Sequence, residues 1–166
     1  SARMAVDHLL DRGHRRIAVF GGRREVDDGI GQRYQGVVQA YAARGLTYDE
    51  SLYVQCSFQM EKAYRTALSF LEKAPDFTAV FAMSDIIALG VIRALHDRGL
   101  FVPKDVSVVG FDGILLCRYT LPALTTVAQP ADRIAEGSVD LMLRLLKDPA
   151  DSENVLLKSA LTQCGT

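Results

Sequence analysis

"TAVFAMSDIIALGVIRALHDRGLFVPKDVSVVGFDG" spans residues 78–113, and the fold is read from it. It opens on a short apolar run, TAVFA (78–82), of the kind that fills a buried strand. The polar pair Ser84-Asp85 leads into a helix-length segment at 85–98, with Ile86, Ile87, Leu89, Val91, Ile92 and Leu95. A second apolar run, VSVVG (106–110), reads as another buried strand. Strand, helix and strand in this order predict a parallel pair joined by a crossover helix. The helix is apolar nearly all round, so it is expected to be covered on more than one side, with a protein partner as one source of cover.

The same alternation extends outward in both directions. Residues 1–12 place Ala2, Val6, Leu9 and Leu10 on one helical face, with Gly13 as the stop. RIAVF (16–20) is a strand ending at Gly21-Gly22, and 31–44 is a helix carrying Tyr34, Val37, Val38 and Tyr41. LYVQC (52–56) and the helix 60–73 follow. After residue 113, LTTVA (124–128) and VLLKSAL (155–161) are predicted strands separated by a helix at 131–147. An internal echo supports the scheme: LLDRG (9–13) and LHDRG (95–99) each close a helix before a buried strand. The fold class is α/β, a doubly wound sheet flanked by helices.

With 166 residues, 49% of them hydrophobic, the chain can bury a real core. Its net charge of −1 supplies no global field for nucleic acid or anionic lipid. The densest basic patch, Arg12, His14, Arg15, Arg16, Arg23 and Arg24, reads as a solvated loop or interface rim, with phosphate binding as the competing use. Cys56, Cys117 and Cys164 are scattered and form no C-x-x-C pair, which points to a reduced, cytoplasmic setting. No apolar stretch approaches the roughly 18 residues needed to cross a bilayer. The absence of an initiator Met suggests a fragment.

In open parallel sheets, ligands bind beyond the carboxyl ends of the strands. There the sequence puts Gly21-Gly22, Ser57-Phe58, Ser84-Asp85, Asp112-Gly113 and Gln129. Carboxylate, amide, hydroxyl and aromatic groups on one rim suit a neutral, hydroxyl-rich small molecule. Each also has a plainer reading: Asp112 opens a turn, one of Ser84 and Asp85 caps a helix, Phe58 fills the core, Arg33 is solvated. No phosphate loop, complete G-x-G-x-x-G, or G-x-S-x-G elbow is present, and His8, His14 and His96 are scattered. The expectation is no enzyme, no cofactor and no metal.

HLLDRGHRRIAVFGG (8–22), QRYQG (32–36), the long block 78–113 and LPALTTVAQP (121–130) resemble the effector-binding core of LacI/GalR-family bacterial transcriptional regulators. The resemblance covers essentially the whole chain. It implies a periplasmic-binding-protein-like I fold, two α/β lobes around a cleft. Residues 1–22 and 129–150 would then be part of an incomplete DNA-proximal lobe. Residues 23–128 and 151–166 would form the distal lobe. It also implies roles: Arg33 pairs with effector hydroxyls or carboxylate, Phe58 stacks on the ligand, Asp112 accepts its hydrogen bonds, and Gln129, Ser84 and Asp85 complete the set.

Two departures leave the effector's identity open: Ser84 stands where many sugar-responsive members have Asn, and Ser57 where an acidic residue is common. The implied function is sensing of a small molecule, a sugar or related polyhydroxy compound, by a homodimeric repressor. Operator DNA would be reached only through a helix-turn-helix outside this chain. The alternative is a periplasmic sugar-binding protein serving a transporter. Ile114, Leu115 and Leu116 in a predicted loop suggest the dimer surface. The remnants 1–22 and 129–150 are expected to fray or to be held by a neighbouring chain.

Overall fold

The computed structural model describes residues 1–26, 28–73 and 75–166. Six strands form one sheet in the order β2-β1-β3-β4-β5-β6. They are β1 (Ile17–Gly21), β2 (Tyr53–Gln55), β3 (Ala79–Ala82), β4 (Ser107–Asp112), β5 (Thr125–Ala128) and β6 (Ala160–Thr162). The first five run parallel; β6 pairs antiparallel with β5, Val127 opposite Leu161. The helices are α1 (Ala2–Asp11), α2 (Gly29–Ala42), α3 (Met60–Leu71), α4 (Asp85–Asp97) and α5 (Ala131–Lys147).

Strands buried on both faces carry apolar residues at successive positions, and the sheet splits them between two cores. Ile17, Val19, Phe81, Val109 and Val127 face α1 and α2. Ala18, Phe20, Val80, Ala82 and Val108 face α3 and α4. The echoed segments close alike, with Gly13 (φ 92°) and Gly99 (φ 75°) taking the left-handed conformation that ends α1 and α4. Four tyrosines, Tyr34, Tyr41, Tyr48 and Tyr53, meet edge to face beside α2, with Arg24 5.0 Å from the ring centroids of Tyr34 and Tyr53.

Two expectations are corrected. Residues 1–22 are not set apart from the sheet of 23–128. β1 is hydrogen-bonded between β2 and β3, and α1 buries Ala2, Ala5, Val6, Leu9 and Leu10 against the same core. Helix α3 covers one side of α4, for at Gly90 an added side chain would meet the α3 backbone at Met60 and Tyr64, while Ile86, Leu89 and Ile92 stay partly exposed. The strand expected at 155–161 pairs only at 160–162; Leu156 is almost fully exposed. Helix α5, by contrast, buries none of its residues, although Ile134, Met142 and Leu146 lie along it.

Candidate functional site

The chain leaves β1 through α2 to reach β2 on one side, then returns through α3 to β3 on the other. The loops after β1 and β3 therefore part in opposite directions, opening a crevice at the carboxyl ends of these neighbouring strands. Arg33 reaches into it from the second turn of α2. That helix is fixed by Asp28, whose carboxylate accepts from the backbone N–H of Ile30 at 2.8 Å and Gly31 at 3.1 Å.

Arg33 is held from three sides. Its Nη1 donates to the Met83 carbonyl at 2.5 Å, its guanidinium carbon lies 4.1 Å from the Phe111 ring centroid, and its Nη2 stands 3.9 Å from Asp112 Oδ1. The Gln129 amide donates to the same Oδ1 at 2.8 Å. A hollow of about 340 Å³ reaches Arg33, Phe111 and Gln129. Asp112 itself has φ 119°, the one non-glycine residue with positive φ among the described residues. Such strain persists where the surroundings over-determine it, and it collects at functional positions. Burial pushes the Asp112 carboxyl above its ordinary range, while Gln129, the Arg33 charge and the Ser84 hydroxyl act against the rise. Burial likewise pulls Arg33 down, opposed by Asp112.

Arg33, Asp112, Gln129 and Ser84 are thus brought together. Ser84 also caps α4, its Oγ accepting from Ile86 N–H at 3.2 Å. Phe58 is not core: it is exposed and lies over the end of β1, where a side chain at Gly22 would come within 3.2 Å of its ring. It stands two strands from Asp112 in the sheet.

Asp85 does not face the crevice, and its assignment as a ligand contact is corrected. It is completely buried. Its Oδ2 accepts from Gly113 N–H at 2.7 Å and Ile114 N–H at 2.9 Å; its Oδ1 accepts from the Thr126 hydroxyl at 2.6 Å. Gly110 makes room for it, since any side chain there would strike its Oδ1. Asp85 therefore ties the loop after Asp112 to α4 and β5. Sequence reasoning missed Phe111 and the Met83 carbonyl as supports of Arg33. The one signal for Phe111 was its place immediately before Asp112, at a strand end.

Chemically, the crevice offers a carboxylate acceptor, a planar donor, an amide and a hydroxyl, with an exposed ring nearby. Among the described residues no group of three His, Cys, Asp or Glu side chains is placed to hold a metal ion.

A model of the periplasmic binding protein-like domain matches residues 6–163. The chain belongs to that family. The HTH-type transcriptional regulator MalR of Clostridium butyricum is 38% identical over 165 residues, covering 98% of this chain and 48% of MalR. A putative transcriptional regulator of LacI family from Sanguibacter keddieii superposes with a TM-score of 0.90 at 33% identity, over 98% of this chain and 62% of that one. The transcriptional regulator CelR, solved in complex with cellobiose, gives 0.88 at 32% identity, over 99% and 50%. The resemblance to LacI-family regulators holds in both sequence and structure. The chain spans about half the length of MalR.

Proposed function

We propose that this chain is the sensing domain of a LacI-type transcriptional repressor, taking a polyhydroxylated small molecule, a sugar or a relative of one, at the crevice after β1, β3 and β4. The observation that carries the reading is the Arg33–Asp112–Gln129 constellation on a strained strand end at the switch point of the sheet. Asp112 takes ligand hydroxyl protons, Arg33 donates to ligand oxygens, and the Phe58 ring lies under an apolar sugar face. No bond is made or broken, so the domain is no enzyme. CelR's cellobiose supports the ligand class, and relatives named as transcriptional regulators favour this reading over a transporter's binding protein.

In this reading α5 and its neighbours, residues 129–150, belong to a second lobe that closes on the crevice, and its uncovered apolar residues are that lobe's core. Ligand shifts the population of the closed form. Two such domains pair through the segment 115–121, where Leu115, Tyr119 and Leu121 are exposed. DNA is reached through a helix-turn-helix outside these residues, in the cytoplasm. The test is calorimetry and thermal shift on the intact protein against pentoses, hexoses, disaccharides, polyols and purines. A saturable ligand whose binding is lost in Arg33→Ala is expected; a ligand bound equally well by Arg33→Ala and Asp112→Asn moves the site elsewhere.

A further inference from the structure

A second hollow, of about 530 Å³, lies beyond the carboxyl ends of β1 and β2. Arg23, Lys62 and Arg65 line it together with Ser57, Thr66 and Gly22, and none of its lining residues is acidic. Among the described residues, the acidic groups of the neighbouring segments are already engaged. Glu61 accepts from Arg65 at 2.7 Å, Glu25 and Glu50 pair with Arg24, and Asp28 caps α2. Arg24, next in sequence, is used up by those two carboxylates and two tyrosine rings. Among the described residues, Arg23 and Lys62 form no ion pair.

Arg23 and Lys62 bring two charges to a polar hollow where, among the described residues, only Arg65 has a carboxylate partner, Glu61, and no neutral hydroxyl compound offsets them. A dianion does, and it also accepts the hydrogen bonds that guanidinium, ammonium and the two hydroxyls donate. The hollow adjoins the crevice, for Ser57 lines it and Phe58 is the next residue, packed against the shared Gly22. β1 and β4 are two strand spacings apart, roughly 10 Å, the scale of one small phosphorylated sugar. Resting on the reading that Arg33, Asp112 and Gln129 hold ligand hydroxyls, we infer that the ligand carries an anionic group, a phosphate monoester in chemical class, seated between Arg23, Lys62 and Arg65.

The test is calorimetry on the intact protein with matched pairs: ribose and ribose 5-phosphate, glucose and glucose 6-phosphate, cellobiose and its phosphate ester, with inorganic phosphate alone as a further probe. One ester is expected to bind at least about tenfold more tightly than its parent, the effect of one charge-assisted hydrogen bond. That margin should shrink with added salt and disappear in the double variant Arg23→Ala/Lys62→Ala, whose affinity for the neutral parent stays within about twofold, as an independent surface change leaves it. Esters that bind no better than their parents, or a margin that survives in the double variant, overturn the inference. If no sugar of either kind binds but inorganic phosphate does, dependent on Arg23 and Lys62, the hydroxyl-sensing reading falls and the anion site stands. If neither phosphate nor any ester binds, the anion site falls.

Discussion

Removing the Asp85 carboxylate should unfold the site from within. In Asp85→Ala, the N–H groups of Gly113 and Ile114 and the hydroxyl of Thr126 lose their acceptor together. A buried donor left without a partner costs about 1–3 kcal/mol. Three such groups give a nominal loss of about 3–9 kcal/mol. Loop 113–114 can relax toward solvent and regain part of this, so the lower end, about 3–4 kcal/mol, is expected. Against a typical domain stability of about 5–15 kcal/mol, that is a large fraction. Asp85→Asn keeps one acceptor oxygen and turns the other position into a donor facing either two N–H groups or a hydroxyl, so it should lose about half as much. Urea unfolding followed by far-ultraviolet circular dichroism measures both, with an unchanged slope required for the comparison. A loss below about 1 kcal/mol in Asp85→Ala would mean that the three bonds are replaceable and that Asp85 does not hold the loop.

Four further outcomes are expected. Asp112→Asn should weaken ligand binding by about 1.5–3 kcal/mol, the range for a hydrogen bond to a charged group, measured by calorimetry. Because burial raises the folded-state pKa of Asp112, the native protein holds this proton to higher pH than the unfolded chain does, so wild-type stability falls as pH rises above 3.8 through the folded value; urea midpoints of Asp112→Asn should lack that decline, and parallel profiles would refute it. Cys56 and Cys117 are buried, with thiols pushed up to about 12, whereas Cys164 is exposed; a disulfide reagent at neutral pH should therefore titrate one fast thiol in the native chain and three after unfolding. Replacing Leu115 and Leu121 by Glu should convert a dimer of the intact protein to monomers in sedimentation velocity, and a species unchanged at micromolar concentration would place the interface elsewhere.

Strand positions were legible because a doubly covered strand has no polar face to disguise it: TAVFA and VSVVG yield β3 and β4 to within two residues at each end. Partnership was less legible. Nothing in RIAVF states which sheet it joins, so residues 1–22 were placed in the wrong unit, although the five buried positions of α1 fit either assignment. VLLKSAL carries apolar residues enough for a strand but not the direction or extent of its pairing, and only three residues pair. At the site, Ser84 and Asp85 are adjacent polar residues at a helix start, and sequence cannot tell which turns inward. The structure divides the roles: Ser84 caps and faces Asp112, while Asp85 is drawn under β4 because Gly110 leaves it space. Asp112 was found by its place at a strand end, but its positive φ depends on the loop that Asp85 holds.

The tyrosine cluster has an optical consequence. The chain has six tyrosines and no tryptophan. Four of the six stand edge to face in one rigid group, where fixed neighbouring rings give the near-ultraviolet circular dichroism its strongest coupled signal. Tyr53 ties that group to the ligand side, its hydroxyl donating to the Gly22 carbonyl at 2.6 Å. Burial pushes the hydroxyls of Tyr48 and Tyr53 upward, so neither of these two becomes tyrosinate under ordinary assay conditions. A single Trp introduced at Phe58 would be the only indole in the molecule. Selective excitation at its red edge would then read occupancy of the crevice without a label, while the tyrosine bands report from beneath the same loop.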